Sequence, residues 1–150
     1  YADNAWNANG ADYAEYFEWA DGNSSAEDRR GLSVVLVNNK IRKATSDDTT
    51  SSIIGVISGR PAVVGDAAWN TWNGKYLVDD FGAYDLDADG NRQLNPDHDA
   101  DANYISRETR DEWDTVGLMG KLRLKVGQPT GDRWIKMRDV SGSIEEWLVR

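Results

Sequence analysis

The chain has no cysteine, only three prolines and a single histidine, and its 17 bases are outnumbered by 26 acids. The lack of cysteine excludes disulfides and thiol nucleophiles and leaves the compartment open. The one histidine, His98, lies in an acidic stretch with no nucleophile-bearing motif, so a serine triad has nothing to build on. No apolar run approaches the ~20 residues of a spanning helix, and no signal peptide is visible. A net charge of −9 repels phosphate backbones and anionic membranes alike, so neither nucleic acid nor membrane is an expected partner. No glycine-rich phosphate loop and no zinc-ligand spacing occurs.

What is present is aromatic and acidic. The 150 residues suit one domain, with a core that removes roughly 68–70% of the unfolded surface from water. Seven tryptophans must carry much of that packing. The first residue is Tyr1 rather than Met, which reads as a piece of a longer polypeptide and suits a terminal module. Residues 1–10, small and polar, read as a linker or the trailing end of an upstream region, and residues 11–150 as the domain.

The segment DYAEYFEW, Asp12 to Trp19, admits two periods. Strand alternation puts Tyr13, Glu15, Phe17 and Trp19 on one face and Asp12 on the other; helical spacing groups Asp12, Glu15 and Trp19. Aromatic richness favours the strand. GLSVVLV, Asn38-Asn39 and KIRKA predict a hairpin. SIIGVISGRPAVVG predicts two strands broken at Gly59-Arg60-Pro61. TVGLMGKLRLKVG predicts one long strand with a break at Gly120, and DRWIKMRD with IEEWLVR a closing hairpin. AAWNTWNG suggests a short helical turn before a strand at KYLV. Asp79 to Arg110 reads as a long acidic loop with one short strand near Tyr104; the chain shows no internal repeat and no low-complexity region beyond that loop. The fold class is mainly β, a single-domain barrel or sandwich-like module with short helical turns.

Within the loop, DLDADGN matches the first half of a calcium loop, with Asp85, Asp87, Asp89 and Asn91 as candidate ligands. Position eight is Arg92, and position twelve, normally Glu, is Pro96; Asp97, Asp99 and Asp101 could complete an irregular site. An Asp-rich hairpin tip is the alternative. Trp69 and Trp72 are the best candidate pair for a sugar platform, against core or interface packing.

Several words in one order, GADYAEYFEW, EDRRGLSVVL, KIRKATSDD, IIGVISGRPAVVGD, GKYLVDDFG and GLMGKLRL through WIKMRD to EEWLVR, carry a resemblance. They resemble the autoproteolytic intramolecular-chaperone domain at the C-terminus of phage tailspikes and neck appendages (peptidase family G-two), from Gly10 to Arg150. Asp85 to Asn95 matches least and looks like an insertion. The resemblance implies a homotrimer behind an upstream β-helical fibre of the same polypeptide, whose trimeric folding it assists before cutting itself off. It also implies a viral hydrolase acting once, with no required cofactor, tail- or fibre-associated during assembly in the host cytoplasm and released after cleavage. The rival is a non-cleaving fibre-tip module that binds a host receptor.

Peptide hydrolysis by carboxylates needs one ionised and one protonated acid. Asp12 and Glu15 are the candidate pair, with Glu15 the expected proton donor because it shares a strand face with Tyr13 and Phe17. On a strand the two carboxylates point to opposite faces, so they would meet only across chains; on a helical turn one chain would suffice. The favoured scissile bond is Ala11-Asp12, where the Asp12 carboxyl can reach the preceding carbonyl. Asn9-Gly10 and a site upstream of Tyr1 are the alternatives.

Overall fold

The β-branched and aromatic runs form strands, because such side chains pack well on a pleated surface. The computed structural model describes residues 10–67 and 71–150. These fall into two compact units, Tyr1–Ala67 with Arg110–Arg150, and Ala68–Thr109.

The first unit is an eight-stranded mixed sheet, sandwich-like in character. Its strands are β1 (Asp12–Glu18), β2 (Ser33–Val37), β3 (Lys40–Lys43), β4 (Ile53–Ile57), β5 (Val63–Gly65), β6 (Trp113–Lys125), β7 (Ile135–Asp139) and β8 (Ile144–Val149). The expected hairpins are present. β2 and β3 pair around Asn38, whose φ of 56° supplies the left-handed turn residue, and β7 pairs antiparallel with β8.

β6 organises the sheet. Its first half runs antiparallel to β1 on one edge and to β4 on the other; its second half pairs with β8. β5 joins the free edge of β1 in parallel, with Tyr13 opposite Val63 and Glu15 opposite Gly65. β6 runs on through Gly120, which pairs with Asp12, and the irregularity lies two residues earlier: Tyr13 faces Met119 but Ala14 faces Gly117, so Leu118 is an extra residue on β6.

Both faces of the sheet are covered. Val35, Ile53, Val56, Leu122, Leu124, Trp134 and Val149 form one apolar cluster. Trp19, Val34, Ile41, Ile57 and Val116 form the other. Neighbours such as Val34 and Val35 fall into different clusters, as strand alternation requires. Trp19 anchors the second cluster: its indole Nε1–H donates to Asp114 at 2.9 Å, and the Arg29 guanidinium lies 4.3 Å from its ring centroid. Arg29, itself buried, is held by Asp21 and Glu27. Its bonds hold the Asp21 carboxyl down to about 2, whereas burial raises that of Asp114 against the Trp19 bond.

The second unit is where the sequence reading needs correction. The acidic stretch is a set of short turns joined by isolated bridges, Tyr76 to Leu94, Val78 to Tyr84 and Leu86 to Arg92. No strand forms near Tyr104. An internal repeat does exist. The Asp79 carboxylate accepts the backbone N–H of Phe81 and Ala83, and eight residues on the Asp87 carboxylate accepts those of Asp89 and Asn91. Gly82 and Gly90 close the two turns at φ of 80° and 81°. Asn95 caps a third such turn through Asp97. The aspartates are there because a carboxylate two residues upstream can satisfy turn N–H groups that lack a backbone partner. Arg92 holds the hairpin from the side, 4.0 Å over the Tyr84 ring. The tryptophan pair of the sequence reading includes Trp69, which lies outside the described residues, as do the first nine residues and with them Asn9.

Candidate functional site

β1 is a strand throughout, so the helical reading of DYAEYFEW does not hold. Asp12 and Glu15 therefore point to opposite faces, and one chain does not bring their carboxyls together. Asp12 shares its face with the fully buried Ala14 and is only 5% exposed. Glu15 is half-buried on the face of Phe17 and Trp19.

Asp12 opens onto a cleft of about 700 Å³ whose lining includes Gly10, Ala11, Ser58, Arg60 and Leu122. Glycines make room for it. A Cβ on Gly117 would stand 2.8 Å from Asp12 Oδ2 and 2.3 Å from a Leu122 methyl. A Cβ on Gly120, at φ 114°, would stand 2.5 Å from the Ala11 carbonyl oxygen. A Cβ on Gly10 would run into the backbone of Arg60 and Ala62. The peptide Ala11-Asp12 is thus threaded through a glycine-lined slot, and the Asp12 carbonyl accepts the Ala62 N–H at 2.8 Å. Ala11 is exposed and Asp12 buried, so the candidate scissile bond marks the point where the chain enters the core.

Among the described residues, Asp12 Oδ2 is a buried oxygen with no hydrogen-bond partner. Burial raises the carboxyl above its ordinary value; a hydrogen bond with Ser58 and one with its own backbone N–H oppose this only partly. Such a group keeps its acid form at higher pH than an exposed aspartate does. The sequence reading expected Glu15 to be the desolvated partner, yet the deeper burial belongs to Asp12. Alternation placed the two on opposite faces but could not tell which face is covered more tightly, since aromatics flank both. Ser58, Gly117 and Gly120 were missed altogether. They lie about 45 to 110 residues downstream of Asp12, and no local spacing signals them.

Glu15 Oε1 accepts the Tyr13 phenol O–H at 2.5 Å, an exposed contact along one strand. That bond, with the neighbouring negative charge, raises the phenol's own pKa. Glu18, third in the acidic series, pairs with Lys40 at 3.0 Å and is a surface ion pair.

These features suit a peptidase acting on its own backbone, and comparison agrees. Residues 1–141 match the family described as Peptidase_G2, IMC autoproteolytic cleavage domain. The chain belongs to the Peptidase_G2 family. It is 37% identical over 134 residues to the pre-neck appendage protein of Bacillus phage phi29, covering 83% of this chain. It is 34% identical over 132 residues to the corresponding protein of Bacillus phage B103, covering 82%. In both cases the match spans only 14% of the relative's length. The crystal structure of the pre-mature phi29 gene product 12 superposes with a TM-score of 0.80 at 29% identity, over 95% of this chain and 22% of that one. That of the C-terminal fragment of the same gene product gives 0.71 at 30%, over 93% of this chain and all of the fragment. This Peptidase_G2 chain thus corresponds to one domain of these longer phage proteins.

The candidate calcium ligands Asp85, Asp87, Asp89 and Asn91 all lie exposed in the second unit. Among the described residues no three acidic side chains converge to hold a metal, and Asp87 Oδ1 is already engaged by two N–H groups. Binding there would require these carboxylates to re-aim. We expect the melting temperature to be the same in millimolar calcium and in chelator. A calcium-dependent rise, which mass action would produce for any site saturated in the folded state, would establish the site instead.

Proposed function

We propose that this chain is a C-terminal intramolecular chaperone that promotes trimeric folding of an upstream phage fibre and then frees itself by cutting Ala11-Asp12. The observation that carries the reading is the placement of Asp12 and Glu15 on opposite faces of one strand. A carboxylate pair so divided is completed only when the Asp12 side of one copy meets the Glu15 side of another. Cleavage is then conditional on assembly, which is what a chaperone that must not leave early requires. The relatives' greater length, and a solved neighbour described as a C-terminal fragment, support a terminal segment that separates from a longer chain.

In the reaction, the ionised Glu15 of a neighbour takes a proton from water as the oxygen attacks the Ala11 carbonyl carbon. The protonated Asp12, whose carboxyl lies within reach of its own backbone nitrogen, donates to that nitrogen as the C–N bond breaks. Water is consumed, Ala11 gains a carboxyl and Asp12 a free amine. Asp12 is thus the acid and Glu15 the base. The glycine slot holds the scissile carbonyl open to attack. No cofactor is needed. The domain acts while fibre-associated in the host cytoplasm and is released afterwards.

The test is complementation in the full-length protein. Asp12→Asn and Glu15→Gln are each expected to stay uncut alone. Produced together, mixed trimers regain a site wherever a Glu15→Gln protomer, with its Asp12 intact, meets a neighbour that keeps Glu15. Intact mass should then show cleavage of the Glu15→Gln chains. No product from the mixture, or a strictly monomeric species in sedimentation, would refute pairing between copies.

A further inference from the structure

We propose that Tyr13 and Gly65 form a positioning pair that holds the Glu15 carboxylate in its working orientation. This rests on the role of Glu15 put forward above and extends it to two residues that take no part in the proton transfers.

Residues two apart on a strand lie on one face. The Tyr13 phenol uses that spacing to lie along β1 and donate to Glu15 Oε1 at 2.5 Å. That distance falls in the range of O–H bonds to an ionised acceptor, about 2.5–2.7 Å. The phenol is available because Tyr13 is 39% exposed and contributes to neither core cluster. The space it occupies exists because of a glycine. Gly65 stands opposite Glu15 in the parallel pairing of β1 with β5. A Cβ there would stand 2.8 Å from the Tyr13 phenol oxygen, 3.0 Å from Glu15 Cγ and 3.3 Å from Oε1. Any larger residue at 65 would push both side chains away from the strand edge.

The consequence is a base fixed at one oxygen. A half-buried glutamate otherwise samples several rotamers, and fixing it avoids an ordering cost at the moment of reaction. The groups facing Glu15 from the packed strands are Tyr13 and Phe17 on β1, Gly65 on β5 and Val116 on β6. Asp114 of β6 is engaged by the Trp19 indole.

Tyr13→Phe in the full-length protein keeps the ring over Gly65 and removes only the hydroxyl. We expect the first-order cleavage rate to fall about 10- to 100-fold. Trimer formation and melting should be unchanged. Gly65→Ala, which keeps the hydroxyl but displaces it, should slow cleavage in the same way and serves as the second variant if Tyr13→Phe fails to fold. Glu15→Gln separates the two levels of the argument. If it is uncut while Tyr13→Phe and Gly65→Ala cleave at the parental rate, the positioning pair is overturned and the role of Glu15 stands. A slower Tyr13→Phe that melts lower or trimerises less also overturns the pair, because the hydroxyl would then serve the fold alone. If Glu15→Gln is cut normally, both ideas fall.

Discussion

Asp12→Asn should yield an uncut protein that is more heat-resistant than its parent. Removing a general acid costs about 100- to 10,000-fold in rate, and asparagine keeps the shape while losing the proton. The gain in stability follows from the buried, partnerless oxygen. In the unfolded chain Asp12 titrates at its ordinary 3.8; in the folded chain burial raises that value. Below the unfolded pKa both states hold the proton and nothing is lost. As pH rises past it, ionisation favours the unfolded state until the folded carboxyl ionises too, so the cost grows as pH climbs from the unfolded value through the raised folded one. Relief of a strained buried acceptor is worth about 1 kcal/mol, or about 2–4 °C in a chain of this length. The difference between variant and parent should appear at about pH 7–8 and vanish towards pH 3. A variant that melts below the parent at neutral pH would show that the Asp12 carboxylate is satisfied in the native state, and would remove it from the donor role.

Gly55→Ala should be the most damaging single methyl in the molecule. Gly55 lies in β4 where that strand crosses the first half of β6. A Cβ there would stand 2.3 Å from the Gly117 carbonyl oxygen and 2.8 Å from a Val116 methyl. The first of these is backbone and has no rotamer by which to move aside. β4 must separate from β6, and the register Val56 to Gly117 and Ile57 to Val116 is disturbed. Overpacking of this kind costs about 3 kcal/mol, or roughly 6–12 °C. Gly142→Ala is the control, since a Cβ at that position meets nothing within 4 Å, and its melting should match the parent. Thermal unfolding of the two side by side decides the matter; equal melting would mean that β4 and β6 are not tightly joined. Because Gly117 also bounds the Asp12 carboxyl, Gly55→Ala should depress cleavage even where the protein remains folded.

Much of the sheet was legible because its signals are local. The Asn38 turn, the β-branched runs on either side of it and the closing β7–β8 pair each lie within about a dozen residues. The two-residue period likewise placed Asp12 and Glu15 on opposite faces. What escaped is non-local. The glycines that admit the Asp12 carboxyl come from β6, and nothing in DYAEYFEW signals them. The acidic stretch misled for a different reason. Asp87 suggests metal ligation by composition, whereas its carboxylate, like that of Asp79, bonds the backbone two and four residues on. A repeat of eight built on turn geometry is faint in sequence because only the aspartate and the glycine recur. Glu15 shows a third kind of limit: its aromatic neighbours were read as a desolvating wall, and one of them, Tyr13, supplies a hydrogen-bond donor instead.

The pairing of Asp12 with Gly120 also bears on timing during synthesis. A ribosome makes the chain from its N-terminus, so β1 emerges with its principal partner, β6, still about a hundred residues from being made. At about 5–20 residues per second, that delay is roughly 5–20 seconds. Until then the Ala11-Asp12 peptide has neither the slot around its carbonyl nor the burial that raises the Asp12 carboxyl. On the cleavage mechanism proposed above, a nascent chain is therefore safe from premature scission without any inhibitor. Truncated products that stop short of β6 should carry an intact junction however long they persist.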